Sequence, residues 1–187
     1  MEDPFAVKEL RIRQPARMMA GGVRFDLFDG RTLVAVVAET APRTRLQTMA
    51  DLVPRTRLLG VRTAAGEPLL TLVRRDSDWL TDVNDADGQL IGRIETGETR
   101  RHYTLFDSDG QAAGYAEGDL AVRQFTINGP DGERYARLRK TWAGLGKELL
   151  TSSDHYTLTF IGPIPPKVRT LVAMVPIVLD MARHGPY

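Results

Sequence analysis

The 187-residue chain contains no cysteine. That absence excludes disulfides, thiolate metal sites, cysteine nucleophiles and palmitoyl attachment together, and it fits a reducing cytosol. Excess charge of one sign is also missing: 25 Lys and Arg face 24 Asp and Glu, a net +1. No global field therefore draws the chain to nucleic acid or to an anionic membrane, which leaves only a local patch for such a role. Histidine is scarce, with His102, His155 and His184 isolated from one another in sequence, so spacing gives no metal triad. Serine is scarcer than usual, with four residues and no Gly-x-Ser-x-Gly elbow to expose a nucleophile. The start, Met1-Glu2-Asp3-Pro4, is acidic where a secretory signal is basic, and no apolar core follows it, so a secretory route is not expected. Long apolar runs are absent except for one near the end, shorter than the roughly 20 residues of a spanning helix.

What is present is a rhythm. Gly66, Gly88, Gly110 and Gly132 are evenly spaced, and the last three sit in Asp-Gly pairs between strand-like segments. A fixed period sets architecture before any motif is read, and Asp-Gly between alternating apolar residues is a hairpin signal. Asp29-Gly30 makes the same kind of turn off the period. Phe25 and Leu27, Leu70 and Leu72, Gly92 and Ile94, Phe125 and Ile127, and Tyr156, Leu158 and Phe160 recur at every second position, as on strands with one dry face. Leu69 to Val73 is expected to end as a strand at Arg74-Arg75-Asp76. Residues 43–57, with Pro42 and Pro54 about them, read as irregular, with a short strand over Leu46–Met49. About a dozen strands at this spacing, with no linker between them, predict one all-β domain over residues 1–187.

The pattern then changes. Pro165-Pro166 precedes Leu171-Val172-Ala173-Met174-Val175-Pro176-Ile177-Val178-Leu179, and Arg183-His184-Gly185-Pro186 follow. The prolines suit a helix start and Gly-Pro a stop, although Val and Ile suit a strand equally well. A helix over 165–183, kinked at Pro176, is expected. It is apolar on every side and so needs burial on every side. Burying seven of its large side chains at roughly 2 kcal/mol each is worth on the order of 14 kcal/mol before entropy. The sheet offers a dry face and the helix needs one all round, so the barrel is expected to close around the helix.

Few residues in the chain carry chemistry in a pattern that a site needs. Ser153, Asp154 and His155 are adjacent on a strand, alternate between its faces and so form no relay. Asp82-Val83-Asn84-Asp85-Ala86-Asp87-Gly88 resembles an EF-hand opening but places its Gly wrongly and ends on Arg93 instead of Glu, so it reads as a turn. The basic residues cluster more: Arg100-Arg101-His102, Arg134, Arg137 and Arg139 with Lys140, and Arg43, Arg45, Arg55 and Arg57. Arg137 and Arg139 should share one strand face. The plainer reading of these clusters is a solvated outer barrel wall.

The stretch Arg139-Lys140-Thr141-Trp142-Ala143-Gly144, followed by Lys147-Glu148 and by Thr151-Ser152-Ser153-Asp154-His155-Tyr156, resembles the C-terminal part of the phospholipid scramblase family. Members carry a Lys-x-Trp-x-Gly step, a Glu, a Thr-Asp-x-Asp segment, an aromatic strand and an apolar helix with an Asp near its end. Asp154, Tyr156 and the Leu171–Asp180 run are also similar to the LURP-one-related proteins. Both groups share the Tubby-like fold, a twelve-stranded barrel threaded by a C-terminal helix. The resemblance therefore implies the architecture that the hairpin rhythm and the tail indicate.

What it implies about activity is coarser. The family's calcium segment has acids at its first, third and twelfth positions, which here are Ser152, Asp154 and Pro163. One carboxylate of three is left, Asp154, where calcium takes six to eight oxygens. The family's cysteine cluster and proline-rich arm are also missing. By likeness to Tubby proteins, which hold phosphoinositide headgroups on the barrel wall, Arg100, Arg101, Arg134, Arg137, Arg139 and Lys140 are the candidate anionic-lipid residues. The resulting expectation is a non-enzymatic barrel, without cofactor or metal, that binds lipid, a membrane surface or a membrane-associated protein. It would work in the cytosol or at the inner face of a membrane. The alternatives are a scramblase with weakened or lost calcium dependence, its tail inserted in the bilayer, and an enzyme with a pocket beside His102 or His155.

Overall fold

The computed structural model describes residues 3–15, 23–40, 56–75, 79–142 and 154–183. Twelve strands follow one another: β1 (Glu9–Arg13), β2 (Arg24–Asp29), β3 (Thr32–Glu39), β4 (Thr56–Thr63), β5 (Pro68–Arg75), β6 (Leu80–Asp85), β7 (Leu90–Thr96), β8 (His102–Asp107), β9 (Ala112–Gly118), β10 (Gln124–Asn128), β11 (Arg134–Trp142) and β12 (Asp154–Phe160). One helix, α1 (Pro166–Arg183), ends the described chain. Each strand pairs antiparallel with the next, and β1 pairs with β12 through Leu10 opposite Leu158, which closes the barrel. Closure leaves the described sheet with no edge of unpaired backbone groups.

The glycine rhythm has a structural cause. In each repeated turn the Gly N–H donates to the carbonyl three residues back, as Gly88 does to Asp85 (3.1 Å) and Gly110 to Asp107 (3.2 Å). Those glycines have φ of 81° and 79°, a backbone conformation that a side chain disfavours. The register slips by one residue just before or after each turn, at Val61/Arg62, Val83/Asn84, Leu105/Phe106 and Ile127/Asn128. These are bulged hairpin turns, one per repeat, and the repeated bulge bends the strands into a barrel. Asp85 Oδ1 accepts from the N–H groups of Asp87 (3.0 Å) and Gln89 (2.8 Å), so the EF-hand-like opening is a turn.

The meander gives the barrel two unlike ends. Five bulged turns lie at one, the turn end, together with the step from β12 into α1. The final residues of β1, β3, β5, β7, β9 and β11 lie at the other, the loop end. The helix enters at the turn end and runs unbroken through Pro176 toward the loop end, about 27 Å at the α-helical rise. Every residue from Leu171 to Ala182 is buried. A helix lying on the outside of a sheet would keep one face wet, so α1 is the core of the barrel. It leans most on β7 and β8.

Two local expectations change. Arg74 and Arg75 continue β5 instead of ending it. Arg57, grouped above with irregular-segment arginines, lies in β4 in phase with Leu59 and Val61 and is buried. Its neighbour across the ladder is Arg74, which also faces inward and donates to Thr96 Oγ1 (3.2 Å). The expected strand over Leu46–Met49, and Arg43, Arg45 and Arg55, lie outside the described residues.

Candidate functional site

The six candidate basic residues occupy four places on the barrel. Arg137 and Arg139 stand exposed on the outer wall, with Leu138 between them turned into the core. Lys140, one position further, is in phase with Leu138; its Nζ lies 5.4 Å from the centre of the Tyr156 ring. Arg134 opens β11 at the turn end, beyond the bulge, opposite Asn128. It is five residues from Arg139, about 17 Å along a strand. Arg100 and Arg101 lie at the loop end, between β7 and β8. Their carbonyls are used locally, by the Tyr103 hydroxyl (3.3 Å) and the Gly118 N–H (2.7 Å).

The wall pair has a concave setting. Arg137 and Arg139 line a groove of about 430 Å³ with Glu9, Thr157, Thr159 and Ile161. The register explains its composition. Arg139 is opposite Thr157, which is opposite Arg11; Arg137 is opposite Thr159, which is opposite Glu9. One row higher, His155 is opposite Arg13. Outward positions of three adjacent strands thus bring Arg11, Arg13, Arg137 and Arg139 to one wall.

Their electrostatic states differ. Arg11 is paired with Glu9 (Nε to Oε1, 2.9 Å), and the Arg13 guanidinium lies 5.2 Å from the centre of the Phe28 ring. Arg137 and Arg139 make no ion pair with any described residue. Alternate residues on one strand face stand about 7 Å apart, so the two cations repel, and an anion between them would relieve that repulsion. The hydroxyls of Thr157 and Thr159, on the neighbouring strand, add hydrogen-bond capacity beside them. Two guanidinium forks and two hydroxyls suit a phosphate or carboxylate group.

The strand β1 is the part that the sequence reading missed. Its signal was available: Leu10 and Ile12 alternate with Glu9, Arg11 and Arg13, the same dry-wet pattern as elsewhere. It is short, and it sits next to a stretch without apolar alternation.

The remaining candidates are dispersed. Asp154 opens β12 at the loop end, whereas Pro163 follows the strand at the turn end. The segment corresponding to a calcium loop therefore contains a whole strand, paired on both sides, about 23 Å long. Among the described residues no group of three His, Asp or Glu side chains could hold a metal ion. His102 lies on β8 against Tyr115 (ring centres 6.4 Å apart), and His155 on β12, four strands or about 19 Å away. They do not share a site.

Comparison with known proteins places this geometry. The family model described as Scramblase matches residues 67–184. Among solved structures, the X-ray structure of an Arabidopsis thaliana protein is similar, with a TM-score of 0.60 and 14% identity over 97% of each chain. That likeness is one of fold. No curated protein matches the chain.

Proposed function

The chain belongs to the scramblase family, and from that premise we propose that it is a non-enzymatic phospholipid-binding barrel whose wall groove takes an anionic headgroup. The observation that carries this reading is the pair Arg137 and Arg139, exposed in a groove and without an acidic partner among the described residues. Threonine hydroxyls on the neighbouring strand complete a setting suited to a phosphate oxygen.

The helix argues against scrambling by insertion of the tail. Residues 171–182 are the core, and no described helix is long and apolar enough to cross a membrane. Placing α1 in a bilayer would empty the barrel and expose the inner faces of the strands.

Flotation with phosphatidylcholine vesicles, with and without phosphatidylserine at low salt, tests the reading. Binding should require the anionic lipid and weaken as salt rises, because exposed charges are screened beyond about 10 Å at 0.1 M. Arg137→Ala/Arg139→Ala should lower it about tenfold, the loss of roughly 1.4 kcal/mol of charge-assisted contact. Equal binding to neutral vesicles, or an unaffected double variant, would refute the groove.

A further inference from the structure

The exposed apolar side chains are not scattered over the barrel. Of five large ones among the described residues, Leu58, Trp79, Leu80 and Leu120 lie toward the loop end, and only Ile161 lies toward the other. Trp79 is 46% exposed and Leu120 is 87% exposed. Single exposed leucines are ordinary, whereas a tryptophan and two leucines along one rim are not.

The turn that carries Leu120 is built to hold it out. Asp119 Oδ1 accepts from the N–H groups of Arg123 (2.7 Å) and Gln124 (3.2 Å). Val122, at φ 53°, tucks against the core while Leu120 points away. The preceding loop-end turn repeats the construction one period earlier, with Arg100 at φ 54°. Left-handed backbone at a residue with a side chain costs about 1 kcal/mol or more, and among the described residues it occurs twice, both times on this rim. A stapled turn presents its apolar tip with little entropy left to lose on burial.

Charge divides along the barrel axis in the same sense. The turn end carries Asp29, Glu67, Asp87, Asp109, Asp131 and Glu133 at its tips, against Arg31 and Arg134, with Lys167 and Arg169 on the step into α1. In the two loop-end turns described throughout, 97–101 and 119–123, Arg100, Arg101 and Arg123 outnumber Glu98 and Asp119, and the Asp119 carboxylate is already engaged by backbone N–H groups. The connections between β5 and β6, β7 and β8, and β9 and β10 are successive along the sheet, about 10 Å apart. Trp79 and Leu80, then Arg100 and Arg101, then Leu120 and Arg123 follow one another along a crescent about 20 Å across.

We propose that this rim docks the barrel end-on against an anionic lipid bilayer, with Trp79, Leu80 and Leu120 inserted among the headgroups and Arg100, Arg101 and Arg123 against their phosphates. A tryptophan beside basic residues is the composition favoured at a membrane–water interface. The acidic turn end then points to water, where a negative surface repels it. Rim insertion by about 5–10 Å is typical of interfacial elements. Arg139 stands three residues from the end of β11, about 10 Å along the strand, so docking brings the wall groove near the headgroup layer. The docking itself does not require the groove.

The test uses the full chain with phosphatidylcholine–phosphatidylserine vesicles. Because the chain has no cysteine, Leu120→Cys accepts one solvatochromic label at the rim. The label should shift to the blue on vesicle addition and be quenched by acyl-chain bromine, while the same label at Asp109→Cys on the turn end should do neither. Trp79→Ala/Leu120→Ala, with unchanged thermal midpoint, should bind about tenfold more weakly or worse, since about 1.4 kcal/mol of apolar burial is lost. Failure of the chain to bind any vesicle, or binding with the Leu120 label still in water, overturns the docking. If Arg137→Ala/Arg139→Ala abolishes binding and the rim variant does not, the rim is refuted and the groove stands. If the rim label still shifts in the wall variant at full affinity, the rim stands and the groove falls.

Discussion

Asp119 shows how a single carboxylate sets a local geometry. Its pKa is held below the ordinary 3.8, first by the N–H of Arg123, with the Gln124 N–H and the Arg123 charge acting in the same direction against some burial. A carboxyl lowered in the folded chain contributes stability above its unfolded pKa and loses it as pH falls through the folded value. The 119–123 turn should therefore hold at neutral pH and loosen only well into acid, below 3.8. The amide-proton chemical shifts of Arg123 and Gln124 should titrate together in that range, and Asp119→Ala should show the acid-form shifts at pH 7. Amide signals indifferent to both changes would contradict the hydrogen-bonded turn. At this scale the sequence was partly legible. The common face of Arg137 and Arg139 follows from alternation alone, and so does the opposite phase of Lys140. The burial of Arg57 was hidden, because two prolines nearby made its segment read as irregular and no apolar neighbour before it set a phase.

At the scale of elements, helix and strand meet most tightly at Gly92. A Cβ there would lie 2.3 Å from the Phe106 carbonyl oxygen and 2.8 Å from Leu171 Cδ1. The glycine lets the first buried residue of α1 approach β7 and β8 closely enough to fill the lumen. Gly92→Ala should cost about 2–3 kcal/mol, read as a lower urea midpoint, because neither a backbone carbonyl nor a packed leucine can move aside cheaply. Gly60→Ala is the control: its Cβ would meet nothing nearer than Thr40 Oγ1 at 3.4 Å. That change should stay within about 1 kcal/mol. If both substitutions cost the same, close approach is not what Gly92 supplies. The hairpins and the helix were legible because their signals are local: a turn glycine at every repeat, and a tail with no polar face. The partners of each strand followed from the meander. The β1–β12 pairing did not, since closure joins the first strand to the last and no local pattern records it.

The whole molecule depends on that closure, and Arg169 is where its two ends meet. From the first turn of α1 its guanidinium donates to the carbonyls of Phe5 (2.6 Å) and Val7, and it lies 3.9 Å from the centre of the Phe160 ring. Phe5 is buried beneath the turn end, so the segment ahead of β1 caps the barrel at the mouth through which the helix enters. Burial lowers the guanidinium pKa below its ordinary value, and the Asp3 charge opposes that shift. Arg169→Met keeps the apolar stem but removes two charge-assisted bonds to carbonyls and the cation over the ring. It should cost about 2–4 kcal/mol. The manner of unfolding matters as much as the amount. The helix supplies the core that all the strands share, and β1 is bonded on both sides, so the cap has no separate core on which to survive. The variant should still unfold in urea in one transition, with tryptophan fluorescence and far-UV circular dichroism coincident. Two separated transitions, with the β1 region released before the rest, would mean that the barrel tolerates an open seam. The wall groove, which spans that seam, would then be lost before the fold.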